Sequence, residues 1–270
     1  MKKKLALILA GTAMAAMVLA GCGEKNNASG EDVKTAESVE DKKTFTVGFD
    51  AEYPPYGYMD ENGEYTGFDL ELAEAVCKLE GWELVKKPLN WDSKDMELNS
   101  GSIDCIWNGF TMNGREDDYT FSTPYVDNSQ VIVVAEKSGI DTLEDLAGKT
   151  VGVQAASAAL DLLQSEEEGG QKKLADTFGA LNEFADYNTA FTELQAGALD
   201  ALAIDVGVAN YQIKSRGEGY KILDETLNTE QYAIGFKKGN QELCDVVNAD
   251  LKKLTEDGTV AKLAEKYEIA

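Results

Sequence analysis

Thr46-Val47-Gly48-Phe49-Asp50-Ala51 returns, 104 residues later, as Thr150-Val151-Gly152-Val153-Gln154-Ala155. Each copy reads as a short apolar strand that ends on a polar residue. A second pair lies in the same order: Leu98-Asn99-Ser100-Gly101-Ser102-Ile103-Asp104-Cys105-Ile106 and, 96 residues on, Leu194-Gln195-Ala196-Gly197-Ala198-Leu199-Asp200-Ala201-Leu202. One match would be noise. Two in register predict two lobes of similar design, which common fold constraints can produce without gene duplication.

Working outward, each lobe alternates strand and helix. In the first, Phe45–Phe49 reads as a strand, and Phe68, Leu72, Ala75, Val76 and Leu79 mark one helical face. Trp82–Val85 reads as a strand, Asp92–Asn99 as a short helix closed by Gly101, and Ile103–Trp107 as a buried strand. The second repeats the plan with strand Thr150–Val153, helices Ala158–Gln164 and Thr189–Ala196, strand Ala201–Ile204 and helix Val206–Lys214. Such alternation predicts an α/β fold with parallel strands. Gln130–Ala135 and Tyr232–Phe236 would carry the chain between lobes, a two-strand hinge suited to closure about a ligand. The expected division is lobe one at 44–134 plus 232–270 and lobe two at 135–231, with a ligand cleft between them.

The 270 residues carry a net charge of −24 and no histidine. The acidic balance disfavours nucleic acid, and the missing histidine removes Ser-His and Cys-His catalysis and His-ligated metal. No cofactor or metal is expected. Residues 1–21 hold three lysines, then an uncharged apolar run over Leu5–Val18, too short for a comfortable membrane span and suited to a secretory signal. Leu19-Ala20-Gly21-Cys22 looks like a bacterial lipobox, which implies cleavage before Cys22 and lipid on its thiol. Cleavage takes the charge from −24 to −27, because the leader carries three lysines and no acid. Residues 22–43, poor in large apolar side chains, read as a flexible tether. Cys77, Cys105 and Cys244 read as buried small hydrophobes, with one disulfide possible in an exported protein.

In open α/β sheets ligands bind beyond the carboxyl ends of strands. Here those ends are Asp50, Asn108-Gly109-Phe110-Thr111, Gln154 to Ser157, and Asp205. Only two arginines stand among 49 acids, and Arg115 lies just past Thr111. A guanidinium there could grip a carboxylate with two parallel hydrogen bonds, or pair with Glu116, Asp117 or Asp118 on the surface. Asp205 could hold an ammonium, cap the helix that follows it, or do both. Ser157 could cap the helix beginning near Ala158. Anion grips (Arg115, Thr111, Ser157) beside a cation grip (Asp205) suit a zwitterion. Tyr53 and Trp91, each following a strand, are candidate ligand walls.

These residues carry a resemblance. The chain is similar, over nearly all of 44–270, to the extracytoplasmic solute-binding proteins of polar amino-acid ABC transporters (family 3, periplasmic-binding-protein-like type II fold). The similarity rests on Gly48-Phe49-Asp50-Ala51-Glu52-Tyr53-Pro54-Pro55-Tyr56, Tyr65-Thr66-Gly67-Phe68-Asp69-Leu70, Gly109-Phe110-Thr111-Met112-Asn113-Gly114-Arg115, Phe121-Ser122-Thr123-Pro124-Tyr125 and Leu143–Val153. It implies that Arg115, Thr111 and the backbone of Gly109 hold an α-carboxylate, with Ser157 helping from the other lobe. Asp205 would take the α-ammonium, Tyr53 and Trp91 would sandwich the side chain, and Asp50 and Gln154 would sit near its polar end. Phe110 belongs to the same ligand-binding set. Thr111 and Arg115 stand four apart where many members have five, and Ala155-Ala156 replaces positions where relatives often carry Gly. The implied protein is a lipid-anchored monomer that binds a polar L-amino acid outside the cell membrane and delivers it to a permease. A sensor lipoprotein acting through a receptor would use the same chemistry. A dehydratase-like enzyme on this fold would need a cleft acid or base, for which Asp50 and Glu52 are the candidates.

Overall fold

A computed structural model of the protein describes residues 39–217 and 219–269. The leader, Cys22 and the tether up to residue 38 lie outside the described residues. The body starts earlier than residue 44. Val39 packs against the core, and Lys42 pairs with Asp104 at 2.6 Å, so residues 39–43 belong to the folded part and not to the tether.

The chain begins with β1 (Thr44–Phe49) and a small antiparallel meander of β2 (Glu52–Tyr53), β3 (Gly57–Met59) and β4 (Tyr65–Thr66). Then come α1 (Phe68–Glu80), β5 (Glu83–Pro88), α2 (Lys94–Asn99), β6 (Cys105–Ile106) and β7 (Tyr119–Phe121). The long β8 (Val126–Ala135) opens the second lobe. β9 (Thr150–Gln154), α3 (Ala158–Gln164), α4 (Lys172–Ala175), β10 (Ala180–Phe184), α5 (Tyr187–Ala196), β11 (Ala201–Asp205), α6 (Val206–Arg216), β12 (Tyr220–Ile222) and β13 (Asn228–Tyr232) follow. β14 (Gly235–Lys237), α7 (Gln241–Glu256) and α8 (Thr259–Tyr267) return to the first lobe.

The first sheet has the order β5-β1-β6-β14-β7, and the second β10-β9-β11-β8-β12, with β13 added against β8. In each, three parallel strands stand in the same relative order, and the strands that carry the chain across are antiparallel. The repeat seen in the sequence has a physical basis. Asp104 accepts a hydrogen bond from the Thr46 N–H (2.7 Å), and Asp200 accepts one from the Thr150 N–H (2.8 Å). Each aspartate so fastens the entry of a lobe's third parallel strand to the first. Gly48 and Gly152 lie equally close to the same kind of neighbour. A Cβ would fall 2.4 Å from Ile103 Cδ1 in one lobe and 2.4 Å from Leu199 Cδ1 in the other, so a side chain at either site would require that neighbour to shift.

The crossing segments run side by side. Tyr125 N–H donates to the Tyr232 carbonyl and Ser122 N–H to that of Ile234, both at 3.0 Å. β8 lies in the second sheet along its whole length, so the sheets part near Pro124–Tyr125 and not at residue 134. The expected single strand Tyr232–Phe236 is two strands, β13 and β14, one in each sheet. The first lobe buries Phe45, Val47, Phe49, Phe68, Val76, Trp107, Phe236 and Val247, and the second has its own cluster around Ile132, Val151, Val153 and Leu160. A third cluster, Trp91, Ile106, Phe110 and Tyr119, lies under one side of the cleft. The three cysteines of the body are free and buried.

Candidate functional site

The strand ends converge. Tyr53, Trp91, Gly109, Thr111 and Arg115 from the first lobe meet Gln154, Ser157, Ala158 and Asp205 from the second around one cavity. The space is about 10 Å³, so the walls must part to admit anything as large as an amino acid. Eight of the ten expected ligand residues line it; Asp50 and Phe110 do not.

Asp205 is 3% exposed and sits at the start of α6, but its side chain does not cap that helix. Instead Oδ1 accepts from Tyr232 Oη (2.5 Å), Gln130 Nε2 (2.7 Å) and Asn128 Nδ2 (2.9 Å), with the Tyr53 hydroxyl beside them. Burial raises its pKa and these donors oppose the rise. Ser157 does cap: its Oγ accepts from Leu160 N–H at 3.2 Å and donates to the Gln154 carbonyl at 2.7 Å.

Arg115 does not pair with its acidic sequence neighbours. Its Nη2 meets Asp161 Oδ2 on α3, across the cleft, at 2.7 Å, and Nη1 reaches the Thr111 carbonyl at 3.4 Å. The guanidinium lies 5.0 Å from the centre of the Phe110 ring. Phe110 is fully buried beneath Arg115 and Trp91, so it supports the wall and does not form it. Gly109 has φ +56, and a Cβ there would lie 2.9 Å from the Tyr232 ring, which explains the glycine. Its N–H donates to Asp69 Oδ2 at 2.5 Å. That donor is therefore not available to a carboxylate, contrary to the expected role of this backbone. Burial pushes the Asp69 carboxyl up to about 7.

Asp50 lies one residue behind the wall. It accepts from Gln154 Nε2 (2.7 Å), which reaches across from the second lobe, and from Glu52 N–H (2.8 Å). Burial pushes its carboxyl up to about 6. It lines a neighbouring groove of about 460 Å³ together with Glu52, Trp91, Glu97 and Asp186. Trp91 Nε1 and the buried Lys94 Nζ both donate to the carbonyl of Ala156, at 3.1 and 3.3 Å. Ala156 itself holds a left-handed φ of 54.

Sequence reading missed Asn128, Gln130 and Glu230. The signal was there in the alternation: Asn128 and Gln130 stand two apart at the start of β8 and face one way. The register sets Gln130 opposite Asp205 and Asn128 opposite Glu230. Lys94, buried in a polar helix, left no such trace.

Residues 45–269 match the bacterial extracellular solute-binding proteins, family 3. The chain belongs to that family. Among relatives, it is 33% identical over 271 residues to the arginine-binding extracellular protein ArtP of Bacillus subtilis (strain 168), covering 99% of this chain and 98% of that one. It is 30% identical over 257 residues to the L-cystine-binding protein TcyJ of Escherichia coli (strain K12), covering 94% of this chain and 92% of that one. Among solved structures, an ABC uptake transporter substrate-binding protein from Streptococcus pneumoniae with bound histidine superposes with a TM-score of 0.80 at 32% identity. That match covers 85% of this chain and 94% of the other. The family and its structures share the two-lobed type II architecture described above.

Proposed function

We propose that the protein captures a polar L-amino acid between its lobes and delivers it to the permease of an ABC transporter. The observation that carries this reading is a guanidinium and a carboxylate on one cavity, Arg115 from the first lobe and Asp205 from the second. A zwitterion satisfies both, and its binding favours the closed form by its differential affinity for that form. The acidic groove of Asp50, Glu52, Glu97 and Asp186 favours a side chain that is cationic or donates hydrogen bonds. Relatives named for arginine and cystine support the ligand class. We read a binding protein and not an enzyme. Asp50 and Glu52 are the acids an enzyme would use; Asp50 is engaged by Gln154 and the Glu52 N–H, and the Glu52 carboxylate accepts from Asn188. The leader, lipid on Cys22 and a monomer tethered outside the membrane complete the reading; Cys22→Ala is expected to abolish labelling with palmitate and release the protein to the medium.

A thermal-shift screen of the twenty amino acids and cystine, on refolded protein, tests the binding. A ligand at about 100 times its dissociation constant adds roughly 2.7 kcal/mol. That corresponds to a rise of about 5–10 °C for a body of this size. No rise with any of them contradicts the reading.

A further inference from the structure

Asp205 does not stand alone. Glu230 on β13 is 4% exposed, and its Oε1 accepts from Asn128 Nδ2 (2.8 Å), Gln130 Nε2 (2.7 Å) and Thr111 Oγ1 (2.8 Å). The same two amide groups donate to Asp205 Oδ1. Two oxygens that share one NH₂ donor stand on the order of 5 Å apart, so the carboxyls form a pair. Every hydrogen offered to the pair comes from a neutral group. Among the described residues no lysine or arginine is ion-paired with either carboxyl. Asn128 Oδ1 and Gln130 Oε1 are buried acceptors without a donor, so the cluster is short of protons as well as of positive charge.

The surroundings do not supply the missing charge. Tyr53, Tyr56, Tyr187 and Tyr232 face the pair from the meander, α5 and β13, and all four hold their protons, with pKa values raised by burial. Asp69 on α1 adds a further acid beside Tyr56. Arg115 sits on the Thr111 loop but is paired with Asp161. Two like charges this close in a dry pocket cannot both ionise freely, and such a pair titrates as a unit.

Resting on the amino-acid reading of the site, we propose that Glu230 is a second acid of the ammonium site, sharing one proton with Asp205 that passes to solvent when a ligand ammonium settles there. The ammonium then does what the proton did, neutralising one of the two charges and supplying hydrogens to the orphaned acceptors. Glu230 also borders the open groove that holds Arg115 and Thr111, a route for the proton to water. The sign follows. Ligand and proton compete, so affinity rises with pH through the upper titration of the pair and is flat above it. Below that point the dissociation constant grows about tenfold per pH unit.

Calorimetric titration with L-arginine, L-histidine, L-glutamine and L-cystine, in buffers of different ionisation enthalpy between pH 5 and 8, reads the proton directly. For the amino acid that binds, release approaching one proton in the acid part of the range is expected. Glu230→Gln keeps an acceptor for Thr111 and is expected to bind with that release, and the slope of log Kd against pH, largely lost. A merely structural role would lower stability and leave the slope unchanged. Should Glu230→Gln not fold, carboxyl carbon NMR of the wild-type protein without ligand is expected to show one shared proton retained on the pair above the ordinary carboxylate range. Binding with no proton release at any pH, or two carboxyls that titrate as ordinary acids, overturns the proposal and leaves the site reading intact. Binding of none of these four, nor of any other amino acid in the thermal-shift screen, overturns both.

Discussion

Asp205→Asn is expected to weaken amino-acid binding by about 100- to 1,000-fold, the scale of breaking a buried, hydrogen-bonded charge pair. The substitution keeps shape and retains an acceptor for Tyr232, Gln130 and Asn128, so the loss measures charge. Calorimetry of the parent amino acid against its deaminated analogue separates the effects. The amine should lose most of its affinity and the analogue little. Equal losses would place the ammonium elsewhere. Glu230 bounds the effect, since removing Asp205 frees it to ionise; adding Glu230→Gln to Asp205→Asn is therefore expected to deepen the loss beyond either change alone.

Arg115→Ala is expected to cost at least as much, because one side chain performs two tasks. It faces the cavity, and it ties α3 of the second lobe through Asp161. The inter-lobe pair is half open to water on the Asp161 side, which is 62% exposed, and such pairs contribute roughly 0–1 kcal/mol. Asp161→Asn should therefore change affinity by no more than a few-fold, whereas Arg115→Ala should abolish measurable binding. Arg115→Lys should recover only part, since an ammonium lacks the planar fork that matches a carboxylate. Micromolar affinity retained by Arg115→Ala in calorimetry would contradict its assigned role.

Much of this site was legible because strand ends are where an α/β sheet places its chemistry. The repeat supplied four such ends, and the Asp104 and Asp200 contacts show why the two copies had to look alike. Other features could not be separated from their bland alternatives. Asp205 is equally good as a cap in sequence, and only the side-chain direction decides. Phe110 adjoins Gly109 and Thr111 in the chain, yet it lies past the end of β6, after a bend at Gly109 (φ +56), and its ring is sent into the core. β10 escaped notice because Ala180–Phe184 is a half-exposed edge with no clean apolar face. Glu230 was invisible for a different reason. Polar residues at alternate positions of β13 look like an ordinary solvated face until pairing with β8 brings them against Asp205.

A crystal structure of the protein with its best-binding amino acid tests the central claim most directly. The account predicts the α-ammonium within hydrogen-bonding distance of Asp205 and the α-carboxylate on the Arg115 guanidinium, with Tyr53 and Trp91 against the side chain. An amino acid seated elsewhere, with neither Asp205 nor Arg115 in contact, would contradict it.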